Sequence, residues 1–202
     1  MKKILSIVLV FSLCLCMGVT AFAAEVNTNG GTGSTPVSLS STDDGTIGGD
    51  PAATAMSVTV PTAFPMAMAQ NGDVTTATDC KIINNSYGPV RVKSVTINAA
   101  NGWKLTAFGD KSTLANEKVD ANKFGFAMTI GNGAVVKTDA SNASSQKLIA
   151  APITGCYLSG AGNASGNSVS VQYNAIVTPL SAPVTNANIA NVVFVIEWDT
   201  AA

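Results

Sequence analysis

The 202-residue sequence contains no histidine. That absence removes the commonest general base, the Ser-His-Asp and Cys-His nucleophile arrangements, and most catalytic zinc sites. Charge is scarce as well: Asp, Glu, Lys and Arg make up 11% of the chain and sum to a net charge of −1, too little basic surface for the phosphate contacts of nucleic-acid binding. Nucleic acid is therefore not an expected partner. Any catalysis would rest on carboxylates or a lysine, and the carboxylates stand mostly isolated in loop-like stretches. A glycosidase pair needs no proximity in sequence, but nothing marks one. The glycine clusters Gly160-Ala161-Gly162 and Gly131-Asn132-Gly133 miss the nucleotide fingerprint and open no helical pattern. No enzyme activity, no cofactor and no metal site is expected.

The N-terminus sets the expected compartment. Met1-Lys2-Lys3 supplies a positive start, Ile4 to Met17 is almost unbroken apolar sequence, and Ala21-Phe22-Ala23-Ala24 offers a small-residue cleavage site. This is the secretory signal plan, and its core is shorter than the roughly 20 apolar residues of a membrane span. Residues 1–24 are read as a signal peptide, with Cys14 and Cys16 as apolar filler within it. No later run is long and apolar enough to suggest an integral membrane segment after cleavage. Neither a sortase-type nor a lipid-anchor tail closes the sequence, so surface attachment is expected to be non-covalent or through a partner.

Two cysteines remain, Cys80 and Cys156. Outside the cytosol they are candidates for one disulfide, which would close a loop of about 77 residues and contribute about 4 kcal/mol in the chain-entropy model. The alternative is two buried free thiols acting as small hydrophobes.

What is abundant is Asn, Ser, Thr, Gly and Val. Residues 25–54 are rich in the first four of these, with Asn29-Gly30-Gly31 and Gly48-Gly49-Asp50-Pro51, and read as a flexible linker. Residues 55–202 read as one β domain. Val58 and Val60, then Phe124, Phe126, Met128 and Ile130, then Val169, Val171, Tyr173, Ala175 and Val177 each mark a period of two, the pattern of half-buried strands. In Val90–Ile97 the apolar phase slips at Lys93-Ser94, which predicts a β-bulge. Asn71-Gly72, Asn101-Gly102 and Asn132-Gly133 are hairpin signals. Val192–Trp198 is apolar on both faces until Glu197 and reads as a central or covered strand. The expected fold is an all-β antiparallel sandwich, Ig-like or jelly-roll-like, of about nine or ten strands.

Trp103 and Trp198 share the inward phase of their strands and read as core residues. Tyr87 and Tyr157 lie beside turn-like segments. Exposed aromatics on a rigid sheet can stack on sugars.

Gly102-Trp103-Lys104-Leu105-Thr106, with Val195-Ile196-Glu197-Trp198-Asp199 near the chain end, resembles the WxL-type surface domains of low-GC Gram-positive bacteria over roughly residues 55–202. The second Trp-x-Leu of that family is missing, since Asp199 and Thr200 follow Trp198. The resemblance implies a secreted, cell-wall-associated protein in which Trp103, Leu105 and Trp198 contact a wall polymer or glycan. The stretch Cys80-Lys81-Ile82-Ile83-Asn84-Asn85-Ser86, leading into Val90-Arg91-Val92, is similar to the strand, Asn-rich turn, strand pattern of TasA and camelysin-like matrix proteins. That likeness implies a fibre-forming subunit. Two functions follow as expectations: a wall-associated binding or scaffold module whose partner is a wall polymer or another surface protein, or a matrix subunit that self-associates by strand exchange.

Overall fold

The computed structural model describes residues 55–200. The expected signal peptide and linker, residues 1–54, lie outside the described residues. In chain order the elements are β1 (Val58–Thr59), β2 (Met66–Met68), β3 (Val74–Thr76), β4 (Lys81–Asn84), β5 (Val90–Ala99), β6 (Lys104–Leu105) and α1 (Ser112–Ala115). They continue with β7 (Lys123–Ile130), β8 (Val136–Lys137), β9 (Ser145–Ile149), β10 (Tyr157–Leu158), β11 (Ser168–Val177) and β12 (Ala190–Trp198).

The fold is an all-β sandwich. One sheet has the order β1-β4-β11-β7-β6, with β8 also paired to β7; the other has β10-β5-β12, with β9 also paired to β5. A separate β2–β3 hairpin completes the set. The described strands number twelve rather than nine or ten. Several run only two or three residues, too short for a period of two to register. Pairing is antiparallel except between β6 and β7, which run parallel through Lys104↔Lys123 and Leu105↔Phe124.

The core lies between the sheets. Val90, Val92, Val95 and Ile97 of β5 face Ile82, Phe124, Met128, Ile130 and Val171, all essentially inaccessible to solvent. The phase slip in β5 is a bulge: Val195 pairs with Ser94 and Ile196 with Val92, leaving Lys93 as the extra residue. It keeps both halves of the strand facing inward, as the sequence predicts.

Other readings are refined or corrected. Asn101 and Gly102 do form a turn, with φ of 50° and 81°. The chain does not return along β5, however, because β12 lies on one edge of that strand and β9 and β10 occupy the other. It crosses instead to the opposite sheet as β6. The Asn71-Gly72 turn does close a hairpin, β2–β3, in the register Met66↔Thr76 to Met68↔Val74. In β7 both faces are buried, including Gly125 and Ala127. A Cβ at Gly125 would come within 2.8 Å of the Ala107 carbonyl oxygen, so the small residues of this strand admit the segment after β6 onto its outer face.

The largest correction concerns β12. Among the described residues it pairs with β5 alone and stands at the edge of its sheet, not at its centre. Apolar residues on both faces look the same in a covered strand and in an uncovered edge. Cys80 and Cys156 are unbridged in the structure, Cys156 buried and Cys80 half-buried. Cys156 is wholly buried beneath β5, where its carbonyl accepts from the Val92 amide, while Cys80 enters β4 and reaches toward the Ala63 carbonyl.

Candidate functional site

The surface that departs most from an ordinary solvated sheet is the β12 edge. Along its nine residues, Val192, Phe194 and Ile196 point toward the core yet remain half-buried. Val193 and Val195 point outward and are 46% and 43% exposed. Both sides of the strand thus present apolar surface beside an edge that no described strand covers. Native edges are usually blunted by lysine, proline or an irregularity. Ala190–Trp198 contains neither lysine nor proline. Its single charge, Glu197, is held within the sheet: Arg91 Nε and Lys93 Nζ each lie 2.8 Å from its carboxylate, and Arg91 also reaches Asp199 at 3.4 Å. The Lys93 hydrogen bond, followed by that of Arg91, pulls the Glu197 carboxyl below its ordinary value.

Phe64, in the loop between β1 and β2, packs against the inner side of this edge. Its ring meets Tyr173 edge-on with centroids 4.7 Å apart, and lies 6.4 Å from Phe126 and 6.2 Å from Phe194. The Tyr173 hydroxyl fixes the loop, donating to the Pro65 carbonyl at 2.6 Å and accepting from the Ala77 amide at 3.1 Å.

A second surface lies at the end of the sandwich where β5 begins. Trp198 pairs with Val90 and Tyr157 with Arg91, and the Ala161 amide donates to the Ser86 carbonyl, so the Tyr87 turn, Tyr157 and Trp198 share this end. Tyr87 is 88% exposed and Tyr157 52%. The turn beneath Tyr87 is rigid. Buried Asn84 donates from Nδ2 to the Gly88 and Ser159 carbonyls, both at 2.9 Å, and its Oδ1 accepts from the Ser86 amide at 2.9 Å. Gly160 packs against the Tyr87 carbonyl, where a Cβ would sit 2.0 Å away.

The predicted contact residues do not converge. Leu105 is 4% exposed and belongs to the core. Trp103 is half-buried and meets Phe124 edge-on at 6.2 Å. Trp198 is half-buried over Gly88. Trp103 follows the C-terminal end of β5, whereas Trp198 pairs with its first residue, and a ten-residue strand separates them by about 30 Å. The two indoles cannot form one platform.

A cleft of about 310 Å³ is lined by Asp73, Phe108, Lys111, Asn174 and neighbours. It holds one carboxylate, Asp73, paired with Lys111, whose hydrogen bond together with that from Asn71 lowers the Asp73 pKa. Among the described residues no cluster of three or more Cys, Asp or Glu could hold a metal ion. None of the described helices is long and apolar enough to cross a membrane. Comparison with protein-family models, with curated proteins and with solved structures found no match.

The edge residues Val193 and Val195 are the ones that sequence reasoning missed. Their exposure depends on which strand lies beyond β12, and no local signal in the sequence encodes that.

Proposed function

We propose that this chain is an exported, non-catalytic structural module of a bacterial cell surface or matrix, and that it associates by strand addition to the β12 edge. The observation that carries this reading is the nine-residue strand β12, with apolar side chains on both faces and, among the described strands, only β5 beside it. An edge of this kind offers main-chain hydrogen bonds for affinity and alternating side chains for specificity. The missing imidazole chemistry, together with the single carboxylate of the cleft at Asp73, supports a role without catalysis.

Wall contact is the second reading, favoured by the exposed Tyr87 and Tyr157 on the rigid end of the sandwich. It moves the expected contact from Trp103 and Leu105 toward the Tyr87 end. One experiment addresses both readings: the secreted protein is mixed with purified Gram-positive cell walls and sedimented, and the unbound fraction is imaged for assemblies. The V193K/V195K double variant is expected to lose assemblies while keeping its fold, because both positions are already exposed in the monomer. Wall pelleting that Tyr87→Ala weakens, with no assemblies in the wild type, would replace the strand-addition reading with the wall reading.

A further inference from the structure

Resting on the strand-addition reading, we propose that the strand added to β12 is β12 of a second copy, antiparallel across a two-fold axis at Phe194. The pleat limits the choice of register. Side chains alternate between faces along a strand, so a neighbour keeps apolar residues with apolar residues only if paired positions share a face. For a two-fold pair this requires the axis to pass through a residue rather than between two. Phe194 is the middle of the nine residues Ala190–Trp198, so an axis there is the one choice that pairs the strand along its whole length.

That register is also chemically matched. On the outer face Val193 meets Val195 of the second copy, which joins the exposed valines of both chains into one patch. On the inner face Val192 meets Ile196, and Phe194, packed against Phe64, meets its own counterpart. At the strand ends Asn191 meets Glu197, an amide facing a carboxylate. A parallel pairing would set Glu197 against Glu197, whereas the antiparallel one keeps the two carboxylates at opposite ends of the ladder. An isologous contact of this kind closes on itself and joins two four-stranded sheets into one eight-stranded sheet.

The test is sedimentation equilibrium of the secreted protein and of three variants, with circular dichroism as the check on folding. Wild type is expected to show a concentration-dependent monomer–dimer equilibrium. N191E, which sets like charges opposite each other twice across the axis, should weaken the dimer by about tenfold. V193K/V195K should abolish it. A wild type that stays monomeric at every soluble concentration overturns the proposal. Self-association that survives V193K/V195K overturns both the proposal and strand addition at this edge. Association that is lost in V193K/V195K and on deletion of residues 25–50, but is indifferent to N191E, would leave strand addition standing. In that case the occupant is the N-terminal segment of another molecule, and the two-fold pairing fails.

Discussion

Asn84 shows how one polar side chain can organise an end of a sandwich. It is fully buried, and its amide group serves three main-chain partners, Gly88, Ser159 and Ser86. Thr138 does the same between strands: its hydroxyl donates to the Thr106 carbonyl at 2.6 Å and accepts from the Phe126 amide at 2.9 Å. Replacing Asn84 by Ala strands buried donors and acceptors and should cost about 3 kcal/mol in a urea or guanidinium titration. Hydrogen exchange at Ser86 should rise with it, marking the Tyr87 turn as the part that loosens first. In the sequence, Asn84-Asn85-Ser86 reads as an Asn-rich turn after a strand; in the structure Asn84 ends β4 and the bend begins at Ser86. Its burial is not legible, because asparagine in a turn is more often a surface residue than the centre of a buried network. The thiols are similar in this respect. Burial raises the pKa of both Cys80 and Cys156, so both stay protonated at neutral pH, and nothing in their spacing distinguishes this state from a bridge.

At the scale of the strand, the bulge in β5 was readable because it leaves a local trace: two apolar phases joined across Lys93-Ser94. It also makes an unusual prediction. Lys93 is the extra residue, so deleting it turns β5 into a regular ladder that still points Val90, Val92, Val95 and Ile97 inward. The deletion protein should fold, losing only an exposed ion pair to Glu197, whereas deletion of Thr96 should abolish folding by turning buried valines or Ile97 toward solvent. Thermal melts followed by circular dichroism would separate the two. Features that depend on neighbours left no such trace. The parallel β6–β7 pairing, the two-sided burial of β7 and the edge position of β12 are set by which strands already occupy the edges of β5 and β11. A one-dimensional pattern reports the period of a strand and its apolar faces; it carries no record of what lies alongside.

For the whole molecule, the titration behaviour follows from composition and from the placement of the acids. Asp110 is held below its ordinary value mainly by the Ser112 amide, and Asp120 and Asp139 by the side chains of Ser181 and Ser141. Asp73 and Glu197 are lowered by their lysine and arginine partners and, for Asp73, by Asn71 as well. A carboxyl depressed in the folded state adds stability that is complete above its unfolded pKa and is lost as pH falls through the folded one. With no histidine in the chain, the melting temperature should be flat from about pH 8 to pH 5 and fall below about pH 4. A differential scanning calorimetry series across that range would check it.

The pairing of β5 with β12 also has a kinetic side. Arg91 and Glu197, partners in that ladder, are 106 positions apart, and the Tyr173 hydroxyl closes onto Pro65 across 108. Contacts this distant demand a large loop closure before they return any stabilisation, which places the protein among slow, high-contact-order folders. The second sheet stays unfinished until its last strand has been synthesised. If the chain is exported, as proposed, it would then remain extended long enough to be threaded through a translocation channel, and would complete its sandwich only on the far side.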